Sequence, residues 1–298
     1  MNIFTYDSFT FPLPEGHRFP AEKYRLLREA VEAAQVVPPE NLISPTPATP
    51  NQLRRAHSEE YLDKVQYGRL SPPEIRRIGL PWSPELVVRC QHSVGATIAA
   101  CRTALQNGRS ASLGGGTPHA CWDEGQGFCI YNDTVAAARA MQAEGRARRV
   151  LVVDCDVHQG NGTAQITQGD DSIFTFSIHG EKNFPFRKIP GDLDIGLPDD
   201  TGDDAYLAAL EPALRTAVTR ARADLVIYLA GADVHEQDRL GRLCLTKAGV
   251  GARDRLVLGL CRTAGLPVAV TMAGGYGRSL PETVAVQLQT IQITAQLD

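Results

Sequence analysis

The chain has 298 residues, and its 30 lysines and arginines against 34 aspartates and glutamates give a net charge of -4. This balance argues against a broad nucleic-acid-binding surface, and no apolar run approaches the roughly 20 residues of a membrane span. The seven cysteines form no CxxC pair, and the first residues do not resemble a secretory leader. We therefore expect a cytoplasmic protein that neither binds nucleic acid directly nor enters a membrane.

Apolar strands alternate with helices along most of the chain. Strands are predicted at residues 2–6, 111–113, 150–153, 173–178, 225–229 and 268–272. Helices are predicted at residues 20–36, 57–67, 84–105, 131–143, 203–221, 246–264 and 280–294, with a short one inside loop 70–84 and an irregular stretch at 38–50. The alternation is typical of an α/β fold, with a mostly parallel sheet and helices on both faces. We predict one domain spanning residues 1–298.

Residues 149–163, RVLVVDCDVHQGNGT, carry the most informative pattern. An apolar strand is followed at once by Asp154, Asp156 and His158. Residues two apart in an extended chain point the same way, so these three side chains should share one side. Two carboxylates and an imidazole at a strand end favour a divalent metal site. The alternative, that the acids cap the next turn, explains one aspartate but not three groups in alternation.

Polar side chains also follow three other predicted strands. His119 comes after the glycine run 114–116, Asp233 after AGA, and Tyr276 after AGG. Ligands of open α/β sheets bind at the carboxyl ends of strands, so these residues should gather at one site. Each signal is weak alone, since a lone histidine is usually structural. The glycine run also suggests a phosphate cradle, but no Gly-Lys-Ser/Thr follows it.

Several of these motifs resemble the histone deacetylase branch of the arginase–deacetylase superfamily. They are DCDVHQGNGT at 154–163, AGAD at 230–233, GFCIYND at 127–133 and AGGY at 273–276. FPLPEGHRFPAEKY at 11–24 and SIHGEKNFPFRK at 177–188 are similar to bacterial members near class IV. Arginases bind two manganese ions with a DxHxD pattern, whereas this chain has DxDxH. The resemblance covers nearly the whole chain and implies the arginase–deacetylase fold.

The resemblance implies a catalytic centre. Asp156, His158 and Asp233 would bind one Zn²⁺, with Fe²⁺ as the alternative, leaving a position for water and substrate. His119 would take a proton from the attacking water and later donate one to the leaving amine. Tyr276 would stabilise the oxyanion.

It also implies substrate and cation sites. Phe128 and Phe184 would wall a narrow tunnel, the Gly127 carbonyl would receive the scissile N–H, and Gly275 would belong to the substrate-binding set. The alternative for both phenylalanines is core packing. A structural K⁺ would lie near Asp154, Asp156, His158, Ser177 and Ile178.

The chain departs from the family at Pro118. The family usually has two adjacent histidines there, and here only the second, His119, is present. Asp154 therefore loses its imidazole partner, while Asn161 remains as a neutral partner for His119. Two hypotheses follow: one histidine serves as base and acid with slower turnover, or Pro118 reshapes the site for another acyl or leaving group.

The leading interpretation is a metal-dependent amidohydrolase that removes an acyl group from lysine in a protein or from a small amine such as a polyamine. The slight acidity of the chain is compatible with a cationic substrate. The alternative is a catalytically weakened protein that binds acyl-lysine or a metabolite. A two-metal ureohydrolase ranks last because a second set of carboxylates is missing. The sequence leaves the oligomeric state and the acyl chain length open.

Overall fold

The computed structural model describes residues 1–297 and contains one sheet of eight strands. In chain order the strands are β1 (Asn2–Phe4), β2 (Leu42–Ile43), β3 (Arg109–Ser112), β4 (Val150–Asp154), β5 (Ile173–Gly180), β6 (Leu193–Leu197), β7 (Leu225–Leu229) and β8 (Val268–Thr271). Their order across the sheet is β2-β1-β3-β8-β7-β4-β5-β6. Every pairing is parallel, so all carboxyl ends meet at one edge.

Helices cover both faces of this sheet. They are α1 (Lys23–Ala33), α2 (Pro50–Leu53), α3 (Glu59–Gln66), α4 (Pro72–Ile78), α5 (Pro84–Asn107), α6 (Asp133–Ala143), α7 (Asn161–Ile166), α8 (Asp203–Ala221), α9 (Lys247–Thr263) and α10 (Leu280–Ala295). Among the described residues, none of these helices is long and apolar enough to cross a membrane.

The alternation of side chains along β4 shows how the two faces are filled. Leu151 and Val153 belong to a core cluster that includes residues of α1, α8, α9 and α10. Val150 and Val152 belong to a second cluster that includes residues of α5 and α6. A strand buried on both faces must be apolar throughout, which explains the uninterrupted valine and leucine run. The predicted α/β fold is confirmed.

The differences from the sequence prediction lie mainly at the periphery. The strands β2 and β6, at the two edges of the sheet, were not predicted, nor was α7. The strand β2 has two residues and β6 is mostly half-buried, so neither carries the apolar run of a central strand. The first helix begins at Lys23 rather than Pro20 because residues 20–22 form a turn that ends at the helix.

Candidate active site

The four segments that carry the predicted site residues follow neighbouring strands. His119 follows β3, Tyr276 follows β8, Asp233 follows β7, and both Asp156 and His158 follow β4. These four strands are consecutive in the sheet. The structure therefore brings the five side chains together, and His119, Asp156, His158 and Tyr276 all line one cavity.

Asp156, His158 and Asp233 form a buried cluster whose ligand atoms all lie within 4.8 Å of one another. His158 Nδ1 is 2.9 Å from Asp156 Oδ1 and 3.2 Å from Asp233 Oδ2, the latter without the alignment of a hydrogen bond. The main chain fixes both carboxylates, because the amides of Val157 and Gly274 donate to Asp233 Oδ1 and Asp156 Oδ2 at 2.9 and 2.7 Å. One imidazole and two carboxylates at this spacing suit a divalent cation.

The electrostatics of the cluster also favour a bound cation. Burial and the charge of Asp156 raise the pKa of Asp233 to about 7. Burial lowers the pKa of His158, but the hydrogen bond to Asp156 and the charges of Asp156 and Asp233 outweigh it and raise that pKa to about 10. Two buried carboxylates thus stabilise positive charge between them, and Asp233 Oδ2 has no hydrogen bond among the described residues. A divalent metal ion bound there would supply this positive charge.

His119 is oriented by Asn161. Its Nδ1 lies 2.9 Å from Asn161 Oδ1 at the start of α7. The amide oxygen accepts the Nδ1 proton, which leaves Nε2 as the unprotonated nitrogen. Burial and the neighbouring His158 lower the pKa of His119 to about 4. The imidazole is therefore neutral at pH 7.

Asp154 lies beside Pro118 instead of beside an imidazole. Its Oδ1 accepts from the amide of Asp156 at 3.1 Å, while its buried Oδ2 has no hydrogen-bond partner among the described residues. A Cβ placed on Gly160 would lie 2.5 Å from this Oδ2 and 3.1 Å from Pro118 Cβ. The carboxylate, the glycine and the proline are thus packed together.

Asp154 also faces the predicted monovalent-cation residues. It is the register partner of Ser177 on β5, and both line a small cavity. Ser177 Oγ lies 2.9 Å from His179 Nδ1, and Ile178 is buried. The acceptor left free on Asp154 is compatible with a K⁺ at this position, which stays a prediction.

Two side chains fix the backbone of Tyr276 through hydrogen bonds. Its amide donates to Asp238 Oδ2 at 2.6 Å, and its carbonyl accepts from Arg239 Nε at 2.9 Å. The ring lies 6.4 Å from that of His158, in an edge-on arrangement. Burial, together with the nearby Asp156 and Asp233 charges, raises the pKa of Tyr276 well above its usual value. The hydroxyl therefore stays protonated and can donate a hydrogen bond.

Lys23 supports the same segment from α1. It is 2% exposed, and its Nζ donates to the Gly275 carbonyl at 3.2 Å and the Ala273 carbonyl at 3.5 Å. The ammonium also lies 5.3 Å from the centre of the Tyr276 ring. Gly275, predicted to bind substrate, thus contacts a buried lysine through its carbonyl.

Gly127, Phe128 and Phe184 line the approach to the cluster. Phe128 lies 5.8 Å from the Tyr276 ring, and Phe184 lies 5.1 Å from the His119 ring. Gly127 has a φ of +57°, and a Cβ there would approach Phe184 Cε1 at 2.9 Å and His119 Cδ2 at 3.0 Å. Only glycine suits both the backbone and the space at this position. All three residues line an open cavity of about 410 Å³ that leads to His119, His158 and Tyr276.

Sequence reasoning missed three residues that position the site: Lys23, Asp238 and the fully buried Arg253. Arg253 Nη1 donates to the carbonyls of Cys155 and Gly231 at 3.2 and 2.6 Å, joining the ends of β4 and β7. No local pattern marks Lys23 or Arg253, because a charged side chain on a predicted helix is normally assigned to the solvent face. Asp238 begins the DRLG stretch that follows AGAD and is part of the resemblance, but no role was assigned to it.

The histone deacetylase domain model matches residues 17–291, which is most of the chain. This chain belongs to the histone deacetylase family. An uncharacterized protein of Picosynechococcus sp. is 44% identical over 94% of this chain and 93% of its own length. Histone deacetylase 2 of Arabidopsis thaliana is 26% identical over 96% of this chain and 76% of its own length.

A solved structure shows the same fold. The crystal structure of the HDA15 HD domain superimposes with a TM-score of 0.83, covering 99% of this chain and 91% of that one at 22% identity. Membership of the histone deacetylase family supports deacetylase or amidohydrolase activity in general, and this family is generally zinc-dependent.

Proposed function

We propose that the protein is a metal-dependent amidohydrolase that removes an acyl group from the nitrogen of a lysine side chain or of a small amine such as a polyamine. The observation that carries the proposal is that His119, Asp156, His158 and Tyr276 line one cavity, with Asp233 completing the ligand cluster behind it. A structural metal site is enclosed by four protein ligands, whereas this cluster offers three and opens into a cavity.

The cluster would hold Zn²⁺, with Fe²⁺ as the alternative. A bound metal of this kind would supply Lewis-acid polarisation of the amide carbonyl and lower the pKa of a water molecule. The donor set fits it, because the two buried carboxylates and the imidazole already stabilise positive charge between them.

The remaining chemistry belongs to the side chains around the cluster. His119 is neutral, and Asn161 directs its unprotonated Nε2 to accept a proton from water, which it can return to the departing amine. Tyr276 keeps its proton and donates a hydrogen bond to the oxygen on which negative charge develops. Phe128 and Phe184 enclose the methylene stem of the substrate, and the Gly127 carbonyl receives the amide N–H.

The first experiment measures hydrolysis of acyl-lysine peptides and acyl-polyamines by the Zn²⁺-loaded and Fe²⁺-loaded protein. The His119→Ala variant should retain its metal, because His119 is outside the ligand set, and should lose about 10²- to 10⁴-fold in kcat. Asp233→Asn should lose both metal and turnover. Full activity of His119→Ala would contradict the role proposed for this histidine.

The second candidate function is an acyl-lysine or metabolite binding protein with little turnover. The observation that favours it is Pro118, which leaves Asp154 Oδ2 without a partner beside the site. Stoichiometric metal, binding of acyl-lysine peptide and no hydrolysis of any substrate by the wild-type protein would establish it. Measurable turnover that depends on His119 would exclude it.

A further inference from the structure

The mouth of the 410 Å³ cavity is strongly basic, although the protein as a whole is acidic. Five cationic side chains from four parts of the chain line it, and no carboxylate is among the described lining residues. We call this set the basic rim, and it consists of Arg18, Arg76, Arg77, Lys182 and Arg242. The protein therefore has a net charge of -4 but a positive electrostatic potential at the opening where a substrate enters.

Only part of this charge is neutralised by neighbours. Arg77 pairs with Glu124, while Arg242 and Lys182 share Asp199 at 3.1 and 3.7 Å. Arg18 and Arg76 are exposed and have no ion pair among the described residues. Two acids thus face five cations around the rim. The excess positive charge lies in solvent, where it acts on an approaching molecule over about a Debye length.

The rim is attached to the tunnel walls by fixed contacts. The carbonyls of Arg77 and Ile78 accept from the amides of Gly127 and Phe128 at 3.2 and 2.7 Å, so the end of α4 carries its cations directly above the tunnel. His17 Nε2 lies 3.0 Å from the Gly79 carbonyl, which places the adjacent Arg18 on the same side. The cations are therefore positioned by the fold.

The opposite side of the rim is anchored in the same way. Asn183 donates to the Leu240 carbonyl at 2.7 Å and accepts from the Arg242 amide at 3.2 Å. These bonds join the segment carrying Lys182 to the segment carrying Arg242. Phe186 stands beside them, 88% exposed, and lines the same mouth. An exposed aromatic side chain among cations suits contact with a peptide chain rather than with a small hydrated ion.

We propose that the basic rim selects an acylated lysine lying in an acidic peptide segment, an inference that rests on the hydrolase function proposed above. Carboxylates flanking the acylated lysine would face Arg18 and Arg76 while its stem enters between Phe128 and Phe184. The same field repels acylated polyamines and lysine-rich tails, whose remaining amines are positively charged. The rim thus narrows the substrate class that the cavity alone leaves open.

The experiment compares two acetyl-lysine peptides of equal length, one flanked by aspartates and one by lysines, together with an acetylated polyamine. At low ionic strength kcat/KM should be about tenfold or more higher for the acidic peptide, and the ratio should fall toward one as salt is raised. The Arg18→Glu/Arg76→Glu variant should abolish or reverse the preference. The matched control is Arg54→Glu/Arg215→Glu, which makes the same charge change at exposed arginines outside the mouth.

The outcomes separate the inference from the proposed function. Hydrolysis of none of the substrates by the wild-type protein means that the hydrolase proposal has failed. Hydrolysis of both peptides at equal rates, a preference for the lysine-flanked peptide or the polyamine, or an acidic preference that survives in Arg18→Glu/Arg76→Glu overturns the basic rim as the selecting feature. Loss of the preference in Arg18→Glu/Arg76→Glu, with its retention in the control, supports the inference.

Discussion

Gly274 lies where the two carboxylates of the candidate metal centre meet. Its amide donates to Asp156 Oδ2 at 2.7 Å, and an added Cβ would overlap Asp233 Oδ2 and lie 2.5 Å from Asp156 Oδ2. We predict that Gly274→Ala weakens zinc binding about tenfold or more, because the methyl group displaces ligand atoms. Zinc content after dialysis and competition with a chelator measure this. The control is Gly259→Ala in α9, where a Cβ meets nothing within 4 Å, and stoichiometric tight zinc in Gly274→Ala would contradict the geometry.

Pro118 offers a second test at a single residue. It packs against Gly160 beside the unpartnered Asp154 Oδ2, so a histidine introduced there has a carboxylate to pair with. We predict that Pro118→His raises kcat on acetyl-lysine peptides about tenfold, since a second group can then transfer protons. Pro118→Ala removes the ring without supplying an imidazole and should show no such rise. Equal activity of the two variants would mean that the missing histidine does not limit the rate.

At the scale of elements, Arg253 connects α9 to the strand ends that carry the metal ligands. It is 0% exposed, bonds to the carbonyls of Cys155 and Gly231, and pairs through Nε with Asp254 Oδ1 at 2.9 Å. Arg253→Met should lower the free energy of unfolding by about 3–5 kcal/mol, because it leaves Asp254 buried without its cation. Urea denaturation provides the measurement. The exposed Arg255, changed to Met two residues further along the same helix, should alter it by less than about 0.5 kcal/mol.

The central elements could be predicted from sequence, whereas the edges could not. The strands β4, β7 and β8 are buried on both faces, so their apolar runs stand out, and Asp203–Ala221 was predicted with the observed bounds for α8. The edge strands β2 and β6 lie partly in solvent and form only because a neighbouring strand offers its backbone groups. Their signal is therefore in the pairing and not in their own residues.

At the scale of the whole molecule, the buried histidines make stability depend on pH. His57 is 1% exposed, and its Nδ1 lies 2.9 Å from the Cys121 carbonyl while its Nε2 accepts from the Asn132 amide at 2.8 Å. Burial lowers its pKa from 6.5 to about 4. In the unfolded chain the histidine gains a proton below about pH 6.5, whereas in the folded protein it does so only near pH 4. The stabilisation that His57 contributes is therefore complete above pH 6.5 and falls as the pH drops toward 4.

We predict that His57 contributes about 3 kcal/mol to this loss, as the shift of its pKa implies. Burial also lowers the pKa of His119 and of His179 to about 4, so these residues add to the effect in the same window. Denaturation of the wild type and of His57→Gln between pH 7 and pH 4 isolates the share of His57, since glutamine does not titrate there. The difference between their free energies of unfolding should change between pH 7 and pH 4. Parallel curves of unfolding free energy against pH would refute the assignment.

The sequence by itself determined the class of fold, the family and the residues of the candidate centre. It could do so because the polar site residues follow the apolar run of a strand closely in the sequence, as in DCDVH at the end of β4. In addition, the carboxyl ends of parallel strands lie at a common edge of the sheet. The strand order that makes β3, β8, β7 and β4 neighbours is not local. Only the tertiary structure decided that these four strands are consecutive, and hence how closely His119, Asp233 and Tyr276 approach the residues after β4.

The tertiary structure also decided what supports and surrounds the centre. Lys23 and Arg253 belong to ordinary-looking helical segments, yet each is buried because its helix packs where free backbone carbonyls need a donor. The charge of the mouth was hidden for a similar reason. Arg18, Arg76 and Arg242 are far apart in the chain, and composition averages their charge with acids elsewhere, whereas the fold gathers them around one opening.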